Sequence, residues 1–499
     1  MVVLAGTFRP PQRRTLRFPG EAFWLFGVLF PVLFGLIRLS EGNAQQANAA
    51  VPPIPQRDSF VTVTLTFVGD LMCHSPQFNN ARQSDGSYDF VPSFEMVKPY
   101  FEKSDFVIGN LETTTAGASR GFSGYPAFNT PDEYVAALKA SGFDMLATAN
   151  NHSMDTGEEG LQRTISIIRK NNLSYTGTFA SQHDRDSIRI VDLHGVKVGV
   201  LNYTYGTNGA YPSSAHSYML NVYDSTLVKN DAAAARAAGA DIVLVFYHWG
   251  VEYRPDPMWP KQDTMMRTAI AAGADLIIGS HPHVIGPVTF YKGEHSKVDS
   301  GLVAWTMGNF ISNQSKRTQD AGLILTVELT KNVTTGEVKM SKTTYVPTWV
   351  YRGTDPSNKN YVVLPAQWGE NDSLPSWINA DSKAKMKEAY GDTKTMVNRY
   401  SNRPQVYNEE EEQSSCGSPR NIVERPGFPA PNGNGHVALT VQIDWRGNVM
   451  QVSVIAEKTT TSDPELLAAA KQRAYKTRYN AVKPDCPMSN AVLEYDFGK

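Results

Sequence analysis

From residue 61 onward, the chain alternates short apolar runs with segments of helical periodicity. The runs are rich in Val, Ile and Leu, as is typical of buried strands. The predicted strands span residues 61–68, 106–108, 143–146, 197–203, 242–247, 276–278, 302–306 and 323–329, and the clearest helices span 158–170 and 230–238. Strands that alternate with helices indicate an α/β layered fold. Because the last strands follow one another closely, we expect a mixed sheet rather than a purely parallel one.

Beyond residue 350 the apolar periodicity weakens, and residues 408–435 combine an acidic run with Ser, Pro and Gly, as a linker does. A compact pattern then resumes with two strands, a helix that begins at Ser462–Glu465, and a last strand. The pattern therefore predicts three parts, which are a large α/β domain (59–350), an extension with a low-complexity linker (351–425) and a small α+β domain (426–499).

The amino terminus has the features of an export signal. Arg13, Arg14 and Arg17 precede a 16-residue apolar run at 22–37, and small residues follow at 42–44. Such a run is shorter than the roughly 20 residues that span a bilayer, so residues 1–44 are predicted to be a signal peptide, with an uncleaved signal anchor as the alternative. Residues 45–58 read as a linker. Both alternatives place the rest of the chain outside the cytoplasm, in the periplasm or at the cell surface.

The composition excludes several classes of protein. The chain has 499 residues and a formal charge of −2, which gives no overall field to attract nucleic acid. Its three cysteines exclude a disulfide framework or a cysteine-based zinc site. Cys416 and Cys486 are the two that an oxidising compartment could pair, and Cys73 is expected to remain a lone thiol.

Polar residues able to bind a metal follow several of the predicted strands. The motifs are Gly69-Asp70 with His74, Asn110-Leu-Glu112, Asn150-Asn151-His152 with Asp155, His248-Trp-Gly-Val-Glu252, His281-Pro-His283 and Gly308-Asn309-Phe310. In open α/β folds, ligands bind beyond the carboxyl ends of strands. Imidazole, carboxylate and amide groups suit a divalent metal or a phosphoryl or carboxyl oxygen.

Each motif alone has a structural explanation. A Gly-Asp pair after a strand is usually a turn, Gly308-Asn309 is compatible with a helix cap, and His248 with a buried core histidine. His281-Pro-His283 is more specific, because Pro282 favours an extended His281 and the spacing of two places both imidazoles on one face. The recurrence of such motifs at the same structural position predicts one shared polar site with a bound metal.

In this order, these motifs resemble the CapA family of poly-γ-glutamate capsule biosynthesis proteins over residues 60–350. The resemblance implies a calcineurin-like metallophosphoesterase fold, in which two mixed sheets form a sandwich flanked by helices. It also implies a centre for one or two divalent ions such as Mn, Fe or Zn. The reaction expected at such a site is metal-assisted hydrolysis or group transfer.

The resemblance assigns a role to each side chain. Asp70 and His283 would bind a first metal, Asn151, His248 and His281 a second, and His152 would act as general acid. Asp155 and Glu252 would orient imidazoles.

Two positions depart from the phosphoesterase pattern. Met72 stands where a His is usual, and Asn110 stands where an Asp usually bridges two ions. Asn110 and Glu112 remain candidate ligands, with Glu112 or His74 able to compensate for the missing bridge. Without an anionic bridge, two close cations repel each other more strongly, so one bound metal is the alternative.

The small carboxyl-terminal domain resembles the carboxyl-terminal domain of TonB-like transducers, which implies a module that binds an envelope protein. The alternative is an appendage that only stabilises the protein. We expect the whole chain to act in biosynthesis, export or anchoring of a capsular polymer such as poly-γ-glutamate. Its expected partners are that polymer or an envelope phospho or peptide substrate, and membrane proteins of capsule synthesis. The rival hypothesis is a non-catalytic envelope scaffold or polymer-binding protein on the same fold.

Overall fold

Twenty strands and nine helices are seen in the described residues of the computed structural model, which are 59–256, 260–292, 297–298, 300–353, 360–371, 374–400, 407–408, 422–424, 434–443, 448–479 and 489–497. The strands are β1 (Phe60–Leu71), β2 (Phe106–Leu111), β3 (Met145–Ala147), β4 (Ser174–Thr176), β5 (Arg189–Leu193), β6 (Val196–Thr204), β7 (Ile242–His248), β8 (Leu276–Ser280), β9 (Val288–Tyr291), β10 (Gly301–Ala304), β11 (Asn309–Ile311), β12 (Ala321–Asn332), β13 (Val338–Tyr351), β14 (Val362–Pro365), β15 (Tyr407–Asn408), β16 (Ile422–Glu424), β17 (Gly435–Ile443), β18 (Val449–Val454), β19 (Arg478–Tyr479) and β20 (Ser489–Phe497). The helices are α1 (Ser75–Ala81), α2 (Lys98–Phe101), α3 (Asp132–Ala140), α4 (Gly157–Lys170), α5 (Gln182–Asp186), α6 (Ser225–Ala237), α7 (Pro260–Ala271), α8 (Ala380–Val397) and α9 (Pro464–Lys476).

Two mixed sheets form the large domain. The first has the order β14-β13-β12-β1-β2-β3-β4, with β11 beside β1 and β15 beside β13, and the second has the order β5-β6-β7-β8-β10-β9. Strands β1 to β4 run parallel to one another, and so do β6, β7, β8 and β10. The mixed α/β sandwich predicted from the sequence is therefore confirmed.

The two sheets pack face to face. Because successive side chains of a strand point to opposite faces, Val63, Leu65 and Phe67 of β1 enter the same buried cluster as Leu244 and Phe246 of β7. The rings of Phe67 and Phe246 meet edge to face, with centroids 6.0 Å apart. Such an aromatic pair contributes about 0.5–1.5 kcal/mol beyond its buried area.

Helices cover both outer faces of the sandwich. On the first sheet, Val68 and Leu146 pack with Leu138 of α3 and Ile165 of α4. On the second sheet, residues of β7 pack with α6 and α7; this cluster includes Val243, Val245, Ala232 and Met265. The strands are thus buried on both faces, which explains why their sequences are nearly continuous apolar runs.

Helix α6 begins five residues before the predicted start at residue 230. The side chain of Asp224 accepts hydrogen bonds from the backbone N–H groups of Thr226 and Leu227, both at 2.9 Å. This N-cap satisfies donors that would otherwise have no partner at a helix start. The sequence prediction missed this N-cap, because it followed the Ala-rich composition alone.

The large domain continues past residue 350. Strand β14 pairs antiparallel with β13, and helix α8 contributes Met386, Ala389 and Val397 to the buried cluster between the two sheets. The first part of the extension predicted at 351–425 is therefore folded onto the large domain, at least as far as Val397.

The carboxyl-terminal strands form a separate antiparallel sheet with the order β18-β17-β20. Alternate residues of β17, including Val437, Leu439 and Val441, pack against Leu466 and Ala470 of α9 in a buried cluster of their own. Asp463 caps α9, since its side chain accepts a hydrogen bond from the backbone N–H of Glu465 at 2.8 Å.

Several predictions fall outside the described residues. These are the signal peptide or anchor at 1–44, the linker at 45–58, most of the linker before residue 434, and both Cys416 and Cys486. Cys73 is described, and it is a buried free thiol. Within the part of the chain that the structure describes, none of the helices has the length and apolar character needed to cross a bilayer.

Candidate metal centre

The carboxyl ends of the parallel strands bring polar side chains from both sheets together. In the first sheet, Asp70 at the end of β1 pairs in register with Asn110 of β2. In the second, His248 is the last residue of β7 and lies beside Ser280, the last residue of β8. Neighbouring parallel strands end at the same level, so the residues that follow them converge.

A close approach of two glycines brings the Gly69-Asp70 and Gly308-Asn309 motifs together. A Cβ atom at Gly69 would lie 2.0 Å from the carbonyl oxygen of Gly308, and the backbone N–H of Asp70 donates to that oxygen at 2.9 Å. Gly308 itself has a φ of +68°, which favours glycine. The result is that Asn309 of β11 pairs with Asp70, so both motifs serve the site.

Asn110 connects the oxygen-bearing side chains of the first sheet. Its Nδ2 donates to Asp70 Oδ1 at 2.9 Å and to Glu112 Oε2 at 3.2 Å, and its Oδ1 accepts from Asn150 Nδ2 at 3.2 Å. The amino group of Asn110, which cannot bind a cation, thus faces the two carboxylates. Asn110 holds these carboxylates together without adding a charge between them.

Three overlapping groups of side chains have the spacing needed to hold a metal ion. Within each group, the candidate ligand atoms lie within 4.8 Å of one another. The groups are Glu112, His248 and His281; Asp70, Glu112 and His283; and Glu252, His281 and His283. Because Glu112, His281 and His283 each belong to two groups, the three form one continuous centre.

Two buried polar atoms support a cation at this place. Glu112 Oε1 and His281 Nδ1 have no hydrogen-bond partner among the described residues, although both are buried. Buried polar atoms nearly always have a partner, and a divalent ion would satisfy both the carboxylate oxygen and the imidazole nitrogen. The residues present therefore fit a bound divalent metal.

The electrostatics of the centre also favour a cation. Burial, together with the neighbouring Asp70, raises the pKa of Glu112 well above its ordinary value. Burial and the neighbouring imidazoles lower the pKa of His248 and of His281 well below the ordinary histidine value. Neutral imidazole is the form that binds metals, and a cation would offset the repulsion between the carboxylates.

Further side chains orient the imidazoles. His248 Nδ1 lies 3.0 Å from Ser280 Oγ, and its Nε2 lies 2.7 Å from Asn151 Oδ1. His283 Nδ1 lies 3.0 Å from both Asp70 Oδ2 and Asn309 Oδ1. Partners of this kind set the tautomer and direction of a ligating imidazole.

His152 lies beside the three metal-compatible groups and belongs to none of them. Its Nδ1 lies 2.8 Å from Asp155 Oδ2, which also accepts a hydrogen bond from the backbone N–H of Phe128 at 2.7 Å. The Phe128 ring meets the imidazole edge to face at 4.7 Å. Asp155 therefore lies where it can orient the His152 ring, and its role remains a prediction.

Glu252 approaches the centre from a loop at the surface. It is exposed, yet it has ligand-compatible spacing to His281 and His283. The next residue, Tyr253, donates its backbone N–H to Pro282 O at 2.7 Å, which holds this loop against the His281-Pro-His283 segment.

The expectation of an extended His281 is wrong. His281 has a φ of +98° and His283 a φ of +58°, although the two rings do face the same centre, with centroids 6.0 Å apart. Non-glycine residues in this region are strained by about 1–3 kcal/mol and are frequent at functional sites. The tertiary contacts of both imidazoles thus outweigh the local preference that Pro282 imposes.

His74 was a candidate to compensate for Met72 at the centre. It belongs to none of the metal-compatible groups found among the described residues, and its Nδ1 lies 3.2 Å from Gln77 Oε1 and 3.3 Å from the backbone nitrogen of Asn313. Burial lowers its pKa to about 4. Glu112, the other candidate, lies at the middle of the centre.

Two asparagines near the centre were missed in the sequence. Asn202 Oδ1 accepts hydrogen bonds from the backbone N–H groups of Thr148 and Ala149 at 2.9 and 2.7 Å, which positions the segment leading to His152. Asn202 is a single amide side chain within the apolar run 197–203, and this could have identified it in the sequence. Asn208 contacts Asn151 and His152, but in the sequence it belongs to an ordinary turn-like Thr-Asn-Gly.

Comparisons with known proteins identify the family of the chain. A family described as "Bacterial capsule synthesis protein PGA_cap" matches residues 64–314, half of the chain. The chain is 31% identical over 291 residues to "Capsule biosynthesis protein CapA" of Bacillus anthracis, covering 56% of this chain and 67% of that protein. It is 30% identical over 282 residues to "PGA biosynthesis protein CapA" of Bacillus subtilis, covering 56% and 71%.

Solved structures align less closely. A calcineurin-like phosphoesterase, YfkN, from Bacillus subtilis aligns with 13% identity and a TM-score of 0.33, covering 67% of this chain and 98% of that one. A phosphatase from Mycoplasma pneumoniae aligns with 14% identity and a TM-score of 0.36, covering 61% and 99%.

Proposed function

The chain belongs to the family of bacterial capsule synthesis proteins, and from this premise we propose that it acts in the biosynthesis, export or anchoring of a capsular polymer such as poly-γ-glutamate. We further propose that it does so through a metal-dependent site for hydrolysis or group transfer. The polymer, or a phospho or peptide substrate of the cell envelope, would be its substrate. Membrane proteins of capsule synthesis would be its partners.

One observation carries the proposal of a metal site. Glu112 Oε1 and His281 Nδ1 are buried without hydrogen-bond partners among the described residues, at the meeting point of the metal-compatible groups. We assign Asp70, Glu112, Asn151, His248, His281 and His283 as the residues that would hold one or two ions of Mn, Fe or Zn. Glu252 would reach the same centre from the surface.

The bound ion would supply Lewis-acid polarisation of a carbonyl or phosphoryl oxygen of the substrate. The protein supplies the rest. Asp155 engages Nδ1 of His152, so Nε2 is the nitrogen that would hold the proton for the leaving group. Phe128 packs against the same imidazole and limits its rotation.

The experiment is a metal analysis of the purified protein joined to an activity screen. We expect Mn, Fe or Zn in the wild type, and turnover of poly-γ-glutamate or of a phosphodiester such as bis(p-nitrophenyl) phosphate only with metal present. His281→Ala should lose both properties, whereas His183→Ala, at an exposed histidine of α5, should keep both. A metal-free wild type, together with a fully functional His281→Ala variant, would disprove the metal site.

A specific observation favours a second candidate, a non-catalytic scaffold that binds polymer or partner proteins. Asn110 presents an amino group, rather than an anionic bridge, to Asp70 and Glu112, and Met72 takes the place of a histidine ligand. Either change weakens the case for two close ions. Metal-dependent turnover that is lost in His152→Ala would rule out a pure scaffold.

We propose that the protein acts outside the cytoplasm and that residues 426–499 form a module that binds an envelope protein. The separate buried cluster of β17, β20 and α9 supports independent folding of this module. A fusion of residues 1–60 to a reporter active only after export tests the first point. Cross-linking in cells, with and without residues 426–499, tests the second, and an unchanged set of cross-linked proteins would contradict it.

A further inference from the structure

The loop after β6, residues 205–213, contacts the Asn151-His152 pair through Asn208. The backbone N–H of Asn208 donates to Asn151 O at 3.1 Å, and Asn208 Oδ1 accepts from Asn151 Nδ2 at 3.2 Å. Asn208 Nδ2 lies 3.4 and 3.5 Å from the two ring nitrogens of His152. One exposed residue thus contacts both a candidate ligand and the candidate acid.

The contact with Asn151 decides which end of an amide faces the centre. An asparagine side chain has an oxygen at one end and an amino group at the other, and only the oxygen can bind a cation. Asn151 Oδ1 lies 2.7 Å from His248 Nε2. A neutral imidazole nitrogen can donate or accept, so His248 alone leaves both orientations of Asn151 open. Asn208 Oδ1 engages the amino end and leaves the oxygen for the centre.

The loop is held at both ends, so the position of Asn208 is defined. At its start, the backbone N–H of Tyr205 donates to His248 O at 2.9 Å, and the Tyr205 ring packs on His281 with centroids 4.8 Å apart. At its end, the backbone N–H of Ser213 donates to Glu158 Oε1 of α4 at 2.6 Å.

We propose that Asn208 is a positioning residue of the metal centre, which orients the Asn151 amide so that its oxygen faces the ion beside His248. The proposal rests on the metal site proposed above. It assigns to the loop 205–213 a part in metal affinity, although the loop contributes no ligand of its own.

The test is a calorimetric titration of the full-length, metal-free protein with Mn²⁺. Asn208→Ala removes the acceptor and should weaken Mn²⁺ binding about tenfold, as loss of a partner behind a ligand typically does. Asn208→Asp keeps an acceptor for Asn151 Nδ2 and cannot donate, so it should bind Mn²⁺ to within about threefold of the wild type. Ser214→Ala, at an exposed position just beyond this loop, is the matched control and should leave binding unchanged.

The outcomes separate this proposal from the one on which it rests. Equal affinity in Asn208→Ala and the wild type overturns the role of Asn208 while leaving the metal site intact. If Asn208→Ala and Asn208→Asp lose the same amount of Mn²⁺ affinity, Asn208 does not act by orienting the Asn151 amide, because any structural disturbance would then explain the loss. A wild type that binds no Mn²⁺ overturns both proposals. Thermal unfolding of the metal-free variants checks that each is folded.

Discussion

The two sheets of the sandwich contribute unlike groups to the same centre. The first sheet brings oxygen atoms, from Asp70, Glu112 and Asn151, and the second brings imidazole nitrogens, from His248, His281 and His283. Asp70 and Glu112 are linked through the amino group of Asn110, and each sheet leaves one buried atom without a hydrogen-bond partner in the described structure, Glu112 Oε1 and His281 Nδ1.

The difference shows what a cation would do here. The carboxylates of the first sheet repel each other, which with burial raises the pKa of Glu112, while burial and mutual proximity lower the pKa values of the imidazoles. A divalent ion bound between the sheets would offset the negative charge and use the neutral nitrogens. The centre is therefore expected to join the two sheets electrostatically as well as to bind substrate.

The largest expected loss of metal affinity comes from the histidines of the second sheet. His281→Ala removes a residue that belongs to two of the three metal-compatible groups, so Mn²⁺ affinity should fall on the order of 100-fold or more, beyond the loss of a partner behind a ligand. Calorimetric titration measures it, with His183→Ala as the control. A loss smaller than that of Asn208→Ala would show that the second sheet is not the main source of ligands.

On the oxygen side, Glu112→Gln should change metal affinity and stability in opposite directions. Loss of the carboxylate should weaken Mn²⁺ binding about tenfold or more. The folded metal-free protein must keep the Glu112 carboxyl protonated at neutral pH, so a neutral amide at this position should stabilise the metal-free protein and raise its Tm.

The pH dependence of that stability follows from the raised pKa of Glu112. The unfolded chain releases the Glu112 proton as the pH rises past the ordinary value of 4.5, while the folded protein retains it, so the metal-free wild type loses stability above that pH. The advantage of Glu112→Gln should thus vanish near pH 4 and grow toward pH 7. Scanning calorimetry in chelator tests this, and a variant less stable than the wild type at pH 7 would contradict it.

An effect confined to turnover is expected at Asp155, which faces His152. Asp155→Asn exchanges the carboxylate that accepts from Phe128 N–H and faces His152 Nδ1, and turnover should fall about 10- to 100-fold. Mn²⁺ affinity should stay within about threefold of the wild type, because Asp155 belongs to none of the metal-compatible groups in the described residues. Asp186→Asn, at an exposed carboxylate, is the control, and a parallel loss of Mn²⁺ binding would argue against the separation of acid and metal ligands.

The smallest effects should come from the partners of the imidazoles. Ser280→Ala removes the group 3.0 Å from His248 Nδ1 and should reduce Mn²⁺ affinity about tenfold. Asn309→Ala should reduce it less, because Asp70 Oδ2 also lies 3.0 Å from His283 Nδ1. Titrations of the two variants with Mn²⁺ under the same conditions compare their losses of affinity. A larger loss in Asn309→Ala than in Ser280→Ala would show that Asn309 rather than Asp70 orients His283.

The central strands of the fold could be predicted because they are buried on both faces, whereas the 14-residue strand β13 was missed. Continuous apolar runs such as 242–247 and 323–329 mark strands directly, and the motifs at their ends marked the edge at which His248 and its neighbours converge. The extension beyond residue 350 was harder to predict, because β14 is only four residues long and the packing of α8 against the buried core of the large domain depends on contacts distant in sequence.

The sequence by itself determined the main buried strands, the family and the residue types available for a metal. The tertiary structure decided which atoms of those residues face one another. It turned the amino group of Asn110 toward Asp70 and Glu112, placed His281 and His283 at positive φ, and brought Asn208 from a separate loop onto Asn151. The physical reason is that strand identity follows from local apolar pattern, whereas the orientation of a side chain depends on partners far away in the chain, which only the packed sheets bring within hydrogen-bond distance.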